Sequence, residues 1–533
     1  MNVILSIAIQ LAKLYYYWLI VIIVILAIIL YDFNTKPIPI ANLFMIPHYP
    51  VVGNLIQLRN NPAKTLLKWS LKYNQAIYQI RLGNKQVIVV NSYEYVNQLW
   101  NKYACSNNSR PMTYTFHNII SATQGFTIGS TPSNPSCKRA KKSLALNLNS
   151  KSIASSNMLE IINLESKLMI RKLFLCNIEL SGPPSVNIHG NKSCILGDIN
   201  LMEYSQMYVL RISLLISFGY DLINQTLATE IINVESMIMK FRSPLGNLAD
   251  YLPILRKFHD KKPNLVRSRR DVYMKHLFDH VSNDSIIGKL ILQNDLNHLE
   301  IRSIALSLIS AGLDNTPMNF NHLMGHLSQK YGYKIQNEAF HQLVTTANND
   351  ICQAWVNSIL INCDYILALI YETLRFFTVL PLSLPRITTK PIEFYDSQGN
   401  STIIPTGTTL FMNAYAANHD SKKFDSPYTF SPDRWLTSNG KFVTHVNHFA
   451  FGAGSRKCSG TNLAIQQLYT LTCRTILMFK IFPPIGTDLM ELDPFKNNLY
   501  PSAISFEPKP FKVRLKPRLY PRIHELYYKI VKE

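Results

Sequence analysis

One cysteine of this 533-residue chain has neighbours that suit chemistry. Cys458 lies in FAFGAGSRKCSG, residues 449–460, just before an apolar run whose spacing predicts a helix, TNLAIQQLYTLTCRTILMF. The N–H groups and the dipole at a helix N-terminus favour a thiolate, which is a nucleophile or a metal ligand. A nucleophile would need a nearby base, and the sequence shows neither a C-x-x-C pair nor a nucleophile elbow.

The residues around Cys458 favour the metal alternative. Gly452, Gly454 and Gly460 let the backbone approach a bulky group, and Phe451 offers a flat apolar face. A flat iron cofactor lying on this loop would explain the glycines and the phenylalanine together. The other interpretation is a glycine-rich turn around a buried free thiol.

Two further segments bring charged residues together. In YILALIYETLRFF, Glu372 and Arg375 lie three residues apart on one face of a predicted helix, and FSPDRWL later supplies Arg434. Buried charges are costly unless each has partners, so these three residues could form a buried cluster. The alternative is an exposed ion pair, which contributes little.

The segment SIALSLISAGLDNTPMNF predicts an apolar helix that is interrupted. Pro317 has no N–H, so the carbonyl of Leu313 loses its helical partner and the helix is expected to bend. The bend would open a groove in which O2 and water could lie.

These segments together resemble the cytochrome P-450 superfamily. Its haem-loop pattern F-x-x-G-x-R-x-C-x-G matches five residues of this chain, Phe451, Gly454, Arg456, Cys458 and Gly460. The E-x-x-R motif matches Glu372 and Arg375, which with Arg434 would form a structural triad behind the loop. The resemblance implies a mainly α fold with a small β portion, preceded by one N-terminal transmembrane helix.

The resemblance also implies haem b as the cofactor, with Cys458 as the ligand of its iron. Arg456 and Arg386 match positions that contact the haem propionates in the family, whereas the family's W-x-x-x-R is altered to Cys137 and Lys141. Lysine is a point charge and therefore a weaker partner than arginine, and a solvated basic helix is the alternative for this segment. The other residues expected to contact the haem are Phe451, Gly452, Gly454, Gly460, Ala311 and Gly312.

The interrupted helix resembles the oxygen-handling segment [A/G]-G-x-[D/E]-T-T of the family. It implies Asp314, Asn315 and Thr316 as catalytic residues, with Asn315 standing where a threonine is usual. An asparagine amide donates and accepts hydrogen bonds but is no ready proton relay. Thr316 lies about 100° further round the helix and would face the cofactor only if the bend rotates that turn. We expect Asn315 to take the oxygen-handling position.

Three stretches bear a narrower resemblance to the fungal phenylacetate hydroxylase branch: SRPMTYTFHNIISATQGFTIGSTPSN, FRSPLGNLADYLPILR and the GLDNTP turn. This resemblance implies insertion of one oxygen atom from O2 into a small organic substrate, as ring hydroxylation of a phenylacetate-like acid. The pocket walls would then be Phe116, His117, Ile120, Leu308, Ala311 and the turns 379–382 and 502–504. Ordinary core packing is the alternative for each of these wall residues.

Composition excludes some other classes. The net charge of +21 is spread along the chain, and its densest stretch, residues 509–522, alternates apolar and basic residues as a half-buried strand does. The zinc-finger, homeodomain and RNA-recognition signatures are absent, so nucleic acid is not an expected partner. The eight cysteines show no disulfide framework and no zinc spacing, as is typical of a reducing compartment.

The N-terminal region predicts a membrane anchor. Residues 14–31, LYYYWLIVIIVILAIILY, carry no charge and reach the length that spans a bilayer. We expect a membrane anchor over 1–36, a proline-rich hinge over 37–55 and a haem-thiolate monooxygenase domain over 56–533. A cleaved signal peptide is the rival interpretation, although no A-x-A-like site follows. Lys13 and Lys36 leave the orientation open.

The expected protein is therefore a single-pass enzyme of the endoplasmic reticulum membrane, with its catalytic domain facing the cytoplasm. Electrons would come from an NADPH-cytochrome reductase, since the chain has no flavin or nicotinamide fingerprint. Two alternatives remain open. One is a haem protein with impaired oxygen activation, prompted by Asn315, that binds ligands or transfers electrons. The other is a membrane-anchored structural protein without a cofactor.

Overall fold

The structure is a computed structural model that describes residues 2–180, 197–221, 224–243, 247–396, 399–443, 445–486 and 490–532. Met1 of the predicted anchor, Cys194, and residues 244–246 of the stretch FRSPLGNLADYLPILR lie outside the described residues.

The described chain is mainly helical, as the sequence predicts. Its α-helices in chain order are α1 (Asn2–Thr35), α2 (Pro62–Tyr73), α3 (Tyr93–Asn97), α4 (Pro135–Asn147), α5 (Ser150–Ser155), α6 (Met158–Leu180), α7 (Leu201–Phe218), α8 (Gln225–Phe241), α9 (Lys261–Asp279), α10 (Ile286–Gln293), α11 (His298–Leu313), α12 (Asn315–Ser328), α13 (Gly332–Thr345), α14 (Ile351–Asn357), α15 (Asp364–Phe377), α16 (Ala414–Asn418), α17 (Thr461–Met478) and α18 (Ile523–Lys532).

The β portion is small and divided among separate sheets. Its strands are β1 (Ile77–Leu82), β2 (Lys85–Val90), β3 (Asp198–Ile199), β4 (Arg386–Ile387), β5 (Ile392–Tyr395), β6 (Ser401–Ile404), β7 (Thr409–Met412), β8 (Phe479–Phe482) and β9 (Val513–Pro517). They pair in the orders β1-β2-β7-β4, β3-β9-β8 and β5-β6. Strand β9 confirms the half-buried strand predicted in the basic C-terminal stretch, because Val513 and Leu515 are buried while Lys516 is exposed.

The interrupted helix lies at the centre of the molecule. Helix α11 ends at Leu313 and α12 begins at Asn315, which confirms the predicted break. Pro317 explains the break, because its nitrogen cannot donate to the Leu313 carbonyl. Helix α12 packs against α7, α15 and α17, and every residue from Thr316 to Ser328 is buried. This packing fixes α12, and with it the break, within the helical core.

Glu372 on α15 is the centre of a buried hydrogen-bond cluster. Its carboxylate accepts from Arg375 Nε and Nη2 at 2.9 and 2.8 Å and from Arg434 Nε at 3.0 Å. The Ser431 N–H and Trp435 Nε1 each donate to it at 2.9 Å. Glu372 and Arg375 are 0% exposed, so the predicted triad is buried and satisfied.

The cluster is linked to the cysteine loop through Asn418, at the end of α16. Arg375 Nη1 donates to the Asn418 carbonyl at 2.8 Å. The Asn418 side-chain oxygen in turn accepts the backbone N–H of Phe449, the first residue of the loop, at 2.8 Å. The triad therefore fixes the point at which the loop begins.

The N-terminal helix fits a membrane anchor. Within α1, Lys13–Thr35 forms a 23-residue segment that is long and apolar enough to cross a membrane. At its end, Asp32 forms an ion pair of 2.6 Å with Arg81 of β1. The proline-rich segment that follows packs on the same strand, since the Ile40 N–H donates to Gln79 Oε1 at 2.8 Å and Ile46 is 1% exposed.

Removing the Glu372 carboxylate should destabilise the protein strongly. In Glu372→Gln, two guanidinium groups lose the carboxylate that pairs with them, so the free energy of unfolding should fall by about 3–5 kcal/mol. Denaturant unfolding followed by circular dichroism measures this. Glu525→Gln is the matched control, because its i,i+3 pair with Arg522 is exposed and should contribute less than about 1 kcal/mol. Equal losses in the two variants would contradict a structural role for the cluster.

Candidate active site

The cysteine loop is held by its own backbone. The Gly452 N–H donates to the Phe449 carbonyl at 2.9 Å, and the Cys458 N–H donates to the Phe451 carbonyl at 3.0 Å. Gly460 is the N-cap of α17, so Cys458 lies two residues before the cap, as the sequence predicts. The loop presents Cys458 to a cavity of about 250 Å³.

Most of the predicted site residues line this cavity. They come from α4, from the break between α11 and α12, and from the loop: Lys141, Ala311, Gly312, Asn315, Thr316, Phe451, Gly452, Arg456, Cys458 and Gly460. Ala311, although on a central helix, is exposed, because the cavity opens beside it. The chain therefore brings three segments that are far apart in sequence to one enclosed space.

Gly454 and Arg386 do not line the cavity. Gly454 has φ +60°, and a Cβ atom there would lie 1.8 Å from the Trp100 carbonyl oxygen, so glycine serves close backbone packing at this position. Arg386 is 2% exposed, and it donates to Asn107 Oδ1 at 2.8 Å and to the Ala453 carbonyl of the loop. Both residues contact the loop or its neighbours from behind, and the charge of Arg386 still lies near Arg456, which lines the cavity.

Cys458 is exposed, but its exposed surface faces the cavity that the protein forms around it. Burial raises the pKa of the thiol, while a hydrogen bond from the Gly460 N–H and the nearby Lys141 and Lys457 act in the opposite direction. The helix terminus alone therefore does not make a thiolate, in contrast to the sequence-based expectation. A coordinated metal ion deprotonates a thiol outright, so the iron that the sequence predicts would complete this site.

Cations without carboxylate partners lie at the loop side of the cavity: half-buried Lys141 and Arg456 and buried Arg110 line it, and buried Arg386 lies behind the loop. Burial lowers the pKa of Lys141 to about 8 and that of Arg386 to about 9, and nearby Arg456 adds to both shifts. Burial also lowers the pKa of Arg110 well below its usual value, with Arg456 and Arg386 contributing. Within the described part of the chain, none of these four cations pairs with an acidic side chain.

This cluster fits a cofactor that carries two negative charges. Buried charges of one sign are unfavourable unless an opposite charge compensates them. A haem would place its two propionates among the cations, with the Phe451 ring and Gly452 beside its flat face. Cys458 would hold its iron from the loop. The donor set and the charge thus fit the predicted cofactor.

Sequence reasoning missed Arg110 and Arg242, which both line the cavity. Arg110 donates to the carbonyls of Gly129, Leu384 and Pro385 at 2.9, 2.6 and 2.7 Å. Arg242 follows α8 directly. Both arginines lie in stretches that resemble the phenylacetate hydroxylase branch, but a single arginine in an irregular segment has no pattern that would reveal it.

The break between α11 and α12 places Asn315 and Thr316 at the cavity. The Asn315 side-chain amide donates to the Ala311 carbonyl at 2.8 Å. Its Oδ1 atom is buried and accepts no hydrogen bond within the described residues. Both candidates for the oxygen-handling position are thus present, and Asn315 also caps a carbonyl at the bend.

Asp314 points away from the cavity. It is 4% exposed and hydrogen-bonded to Gln206, and it does not line the cavity. Burial, with a smaller contribution from Glu507, raises the pKa of Asp314 from 3.8 to about 7. Asp314, which the resemblance implies as a catalytic residue, therefore makes no direct contact with the cavity.

The expected pocket walls divide into two groups. Leu308, Ala311, Val379, Leu380 and Ile504 line the cavity. Phe116, His117 and Ile120 do not; they are buried, and the Phe116 ring lies 5.2 Å from the Arg242 guanidinium. Core packing, the alternative interpretation, therefore describes the second group.

The raised pKa of Asp314 should make stability depend on pH. The unfolded chain loses this proton near pH 4 and the folded chain near pH 7, so stability should fall as the pH rises through that window. Asp314→Asn removes this titration. The stability of the variant relative to wild type should therefore be greater at pH 8 than at pH 5, by up to about 1.4 kcal/mol for each pH unit crossed within the window. Melting temperatures of the two proteins across this range measure the effect. The exposed Asp295→Asn is the control, and parallel profiles for wild type and Asp314→Asn would contradict the prediction.

Comparison with known proteins agrees with this geometry. The family described as Cytochrome P450 matches residues 45–515. Phenylacetate 2-hydroxylase of Emericella nidulans is 37% identical over 91% of this chain and 92% of its own length. 3-hydroxyphenylacetate 6-hydroxylase of the same organism is 33% identical over 88% of this chain and 87% of its own length. The match extends over most of the chain and includes the loop of Cys458, and the protein therefore belongs to the cytochrome P450 family of monooxygenases.

Proposed function

We propose that this cytochrome P450 hydroxylates the aromatic ring of a small arylacetic acid. The observation that carries the proposal is the cavity itself, in which Cys458 faces a bend in the central helix and uncompensated cations lie alongside. The names of the two Emericella nidulans relatives support an arylacetate as substrate. Their hydroxylase activities do not favour a protein that only binds ligands or transfers electrons.

The cofactor in this proposal is haem b, which when bound supplies the activation of O2 and the insertion of one oxygen atom. Cys458 would be its iron ligand, and Arg110, Lys141, Arg386 and Arg456 would compensate its propionates. Arg456 is already positioned, since its Nη2 donates to the carbonyls of Ile128 and Thr131 at 2.9 and 2.8 Å. The chain's own contribution is to hold the group, exclude water and orient the substrate.

The domain arrangement in the proposal follows from the N-terminal helix. Residues 1–36 would anchor the chain in the endoplasmic reticulum membrane, 37–55 would connect, and 56–533 would form the catalytic domain in the cytoplasm. An NADPH-cytochrome reductase would deliver the electrons. Exposed Lys138, Lys142 and Lys457 near the cysteine loop offer positive charge to an acidic docking face on that partner.

Replacement of Cys458 tests the assignment of the iron ligand. Membranes that contain the wild-type chain should show the red-shifted Soret band of thiolate coordination after reduction and addition of CO. Cys458→Ala should lose this band, because no other cysteine lines the cavity among the described residues, and the thioether of Met239, which does line it, cannot become a thiolate. The exposed Cys105→Ala is the control and should keep the band. With reductase and NADPH, wild type should convert phenylacetate to a ring-hydroxylated acid, and Cys458→Ala should not.

A band that persists in Cys458→Ala would contradict the ligand assignment. A normal band without any hydroxylated arylacetate would contradict the substrate class alone. The two parts of the proposal can therefore fail separately.

Asn315 is the residue that we propose to control the coupling of NADPH consumption to product. Its amide cannot relay a proton as a hydroxyl does, whereas a threonine hydroxyl could donate to the Ala311 carbonyl in its place. Asn315→Thr should therefore raise product formed per NADPH, and Asn315→Ala should lower it and increase hydrogen peroxide. Thr316→Ala is the neighbouring control and should change little. Equal coupling in wild type and both Asn315 variants would exclude a role for this position.

A further inference from the structure

Three charged side chains line the cavity from outside the cysteine loop: Arg110, Lys141 and Arg242. Arg242, at the end of α8, lines the cavity with Thr127 and Ile128. Its Nη2 donates to Ser130 Oγ at 2.9 Å and contacts Thr127 Oγ1 at 3.4 Å. Across the residues that the structure describes, no carboxylate lies within ion-pair distance of this guanidinium.

Arg242 lies near the cations that fit the propionates, since its charge also helps to lower the pKa of Arg110, but it contacts hydroxyl groups rather than backbone carbonyls. Arg110 and Arg456 direct their guanidinium groups to backbone carbonyls, and both donate to the Gly129 carbonyl, at 2.9 and 3.4 Å. A Cβ atom on Gly129 would instead lie 3.9 Å from Arg242 Nη2. Gly129 therefore lies next to both the two arginines of the propionate group and Arg242, and a Cβ atom there would lie in van der Waals contact with Arg242 and Leu384.

The hydrogen-bonding capacity of Arg242 is only partly used. A guanidinium has five N–H donors, whereas the described residues offer two hydroxyls to Nη2 and the weakly accepting Met239 Sδ, 3.6 Å from Nη1. The Phe116 ring shields one side of the group from water. The guanidinium of Arg242 therefore has N–H donors free to bind a ligand in the cavity. A carboxylate suits it, because a carboxylate can accept two parallel N–H bonds.

We propose that Arg242 binds the carboxylate of an aryl acid substrate and so selects acids over neutral aromatic compounds; this assignment rests on the function proposed above. Ser130 and Thr127 position the guanidinium, since their hydroxyls also lie 3.0 Å from each other. The apolar side chains of Leu308, Val379 and Ile504 line the same cavity and can contact the ring. Selectivity arises because a neutral analogue leaves the buried charge unpaired.

Titration of the ferric holoenzyme in membranes tests the assignment, with the spin-state shift of the Soret band as the readout. Phenylacetate is the charged probe, and phenylacetamide is a neutral probe of nearly the same shape. Arg242→Gln should weaken phenylacetate binding by about 30-fold and change phenylacetamide binding by less than about threefold. Arg242→Lys should restore part of the loss. Arg302→Gln, which removes a charge from α11 at a position outside the cavity lining, should leave both affinities unchanged.

The CO band of each variant shows that the holoenzyme has folded. If Arg242→Gln takes up no haem, Ser130→Ala replaces it, because it removes the 2.9 Å partner of Nη2 and should weaken binding of the acid alone. Unchanged phenylacetate affinity in Arg242→Gln, or an equal loss for both probes, would overturn the assignment while leaving the hydroxylase proposal standing. A wild-type holoenzyme that binds no aryl acid would overturn the assignment and the substrate class together.

Discussion

The buried carboxylate of Glu372 is the interaction on which the geometry of the site depends. It accepts five hydrogen bonds from α15 and from the turn around Trp435, so two segments far apart in sequence are fixed to one point. Arg375 extends this cluster to Asn418, and Asn418 holds the first N–H of the cysteine loop. Burial of this carboxylate is tolerated because N–H donors form hydrogen bonds with both of its oxygens. The Glu372 cluster therefore helps to fix the position of Cys458, although the cluster itself does not contact the cavity.

The second constraint is electrostatic. Folding gathers Arg110, Lys141, Arg386 and Arg456 at one side of a cavity, and burial lowers the pKa of each. Backbone carbonyls compensate part of this charge, and a dianionic cofactor would compensate about half of the four formal charges directly. Binding of the cofactor must therefore stabilise the folded chain as well as supply chemistry. The structural role of the haem and its catalytic role are two consequences of the same arrangement of charges.

Local patterns made much of this predictable. The cap of α17 beside Cys458, the break caused by Pro317 and the alternation in β9 each depend on residues close together in sequence. The motif residues Glu372, Arg375 and Arg434 required family resemblance, since spacing alone also describes an exposed ion pair. Arg110 could not be found in either way, because its partners at Leu384 and Pro385 lie more than 270 positions away. Arg386 and Gly454 were predicted from the resemblance as residues that contact the cofactor, and the structure shows that both contact the loop or its neighbours from behind.

The break between α11 and α12 explains why Asp314, Asn315 and Thr316, all expected to be catalytic, lie in different surroundings. Successive side chains on a helix differ by about 100°, so Asp314, Asn315 and Thr316 cannot all face one ligand. The break turns Asp314 towards Gln206, where burial favours its neutral form, and leaves the next two residues at the cavity. Asn315 commits its amide to the Ala311 carbonyl and leaves Oδ1 buried without a partner within the described residues. An unsatisfied buried acceptor costs about 1–3 kcal/mol, so packing alone does not explain this asparagine. Such a local conflict is expected where a cavity for ligands interrupts a core helix.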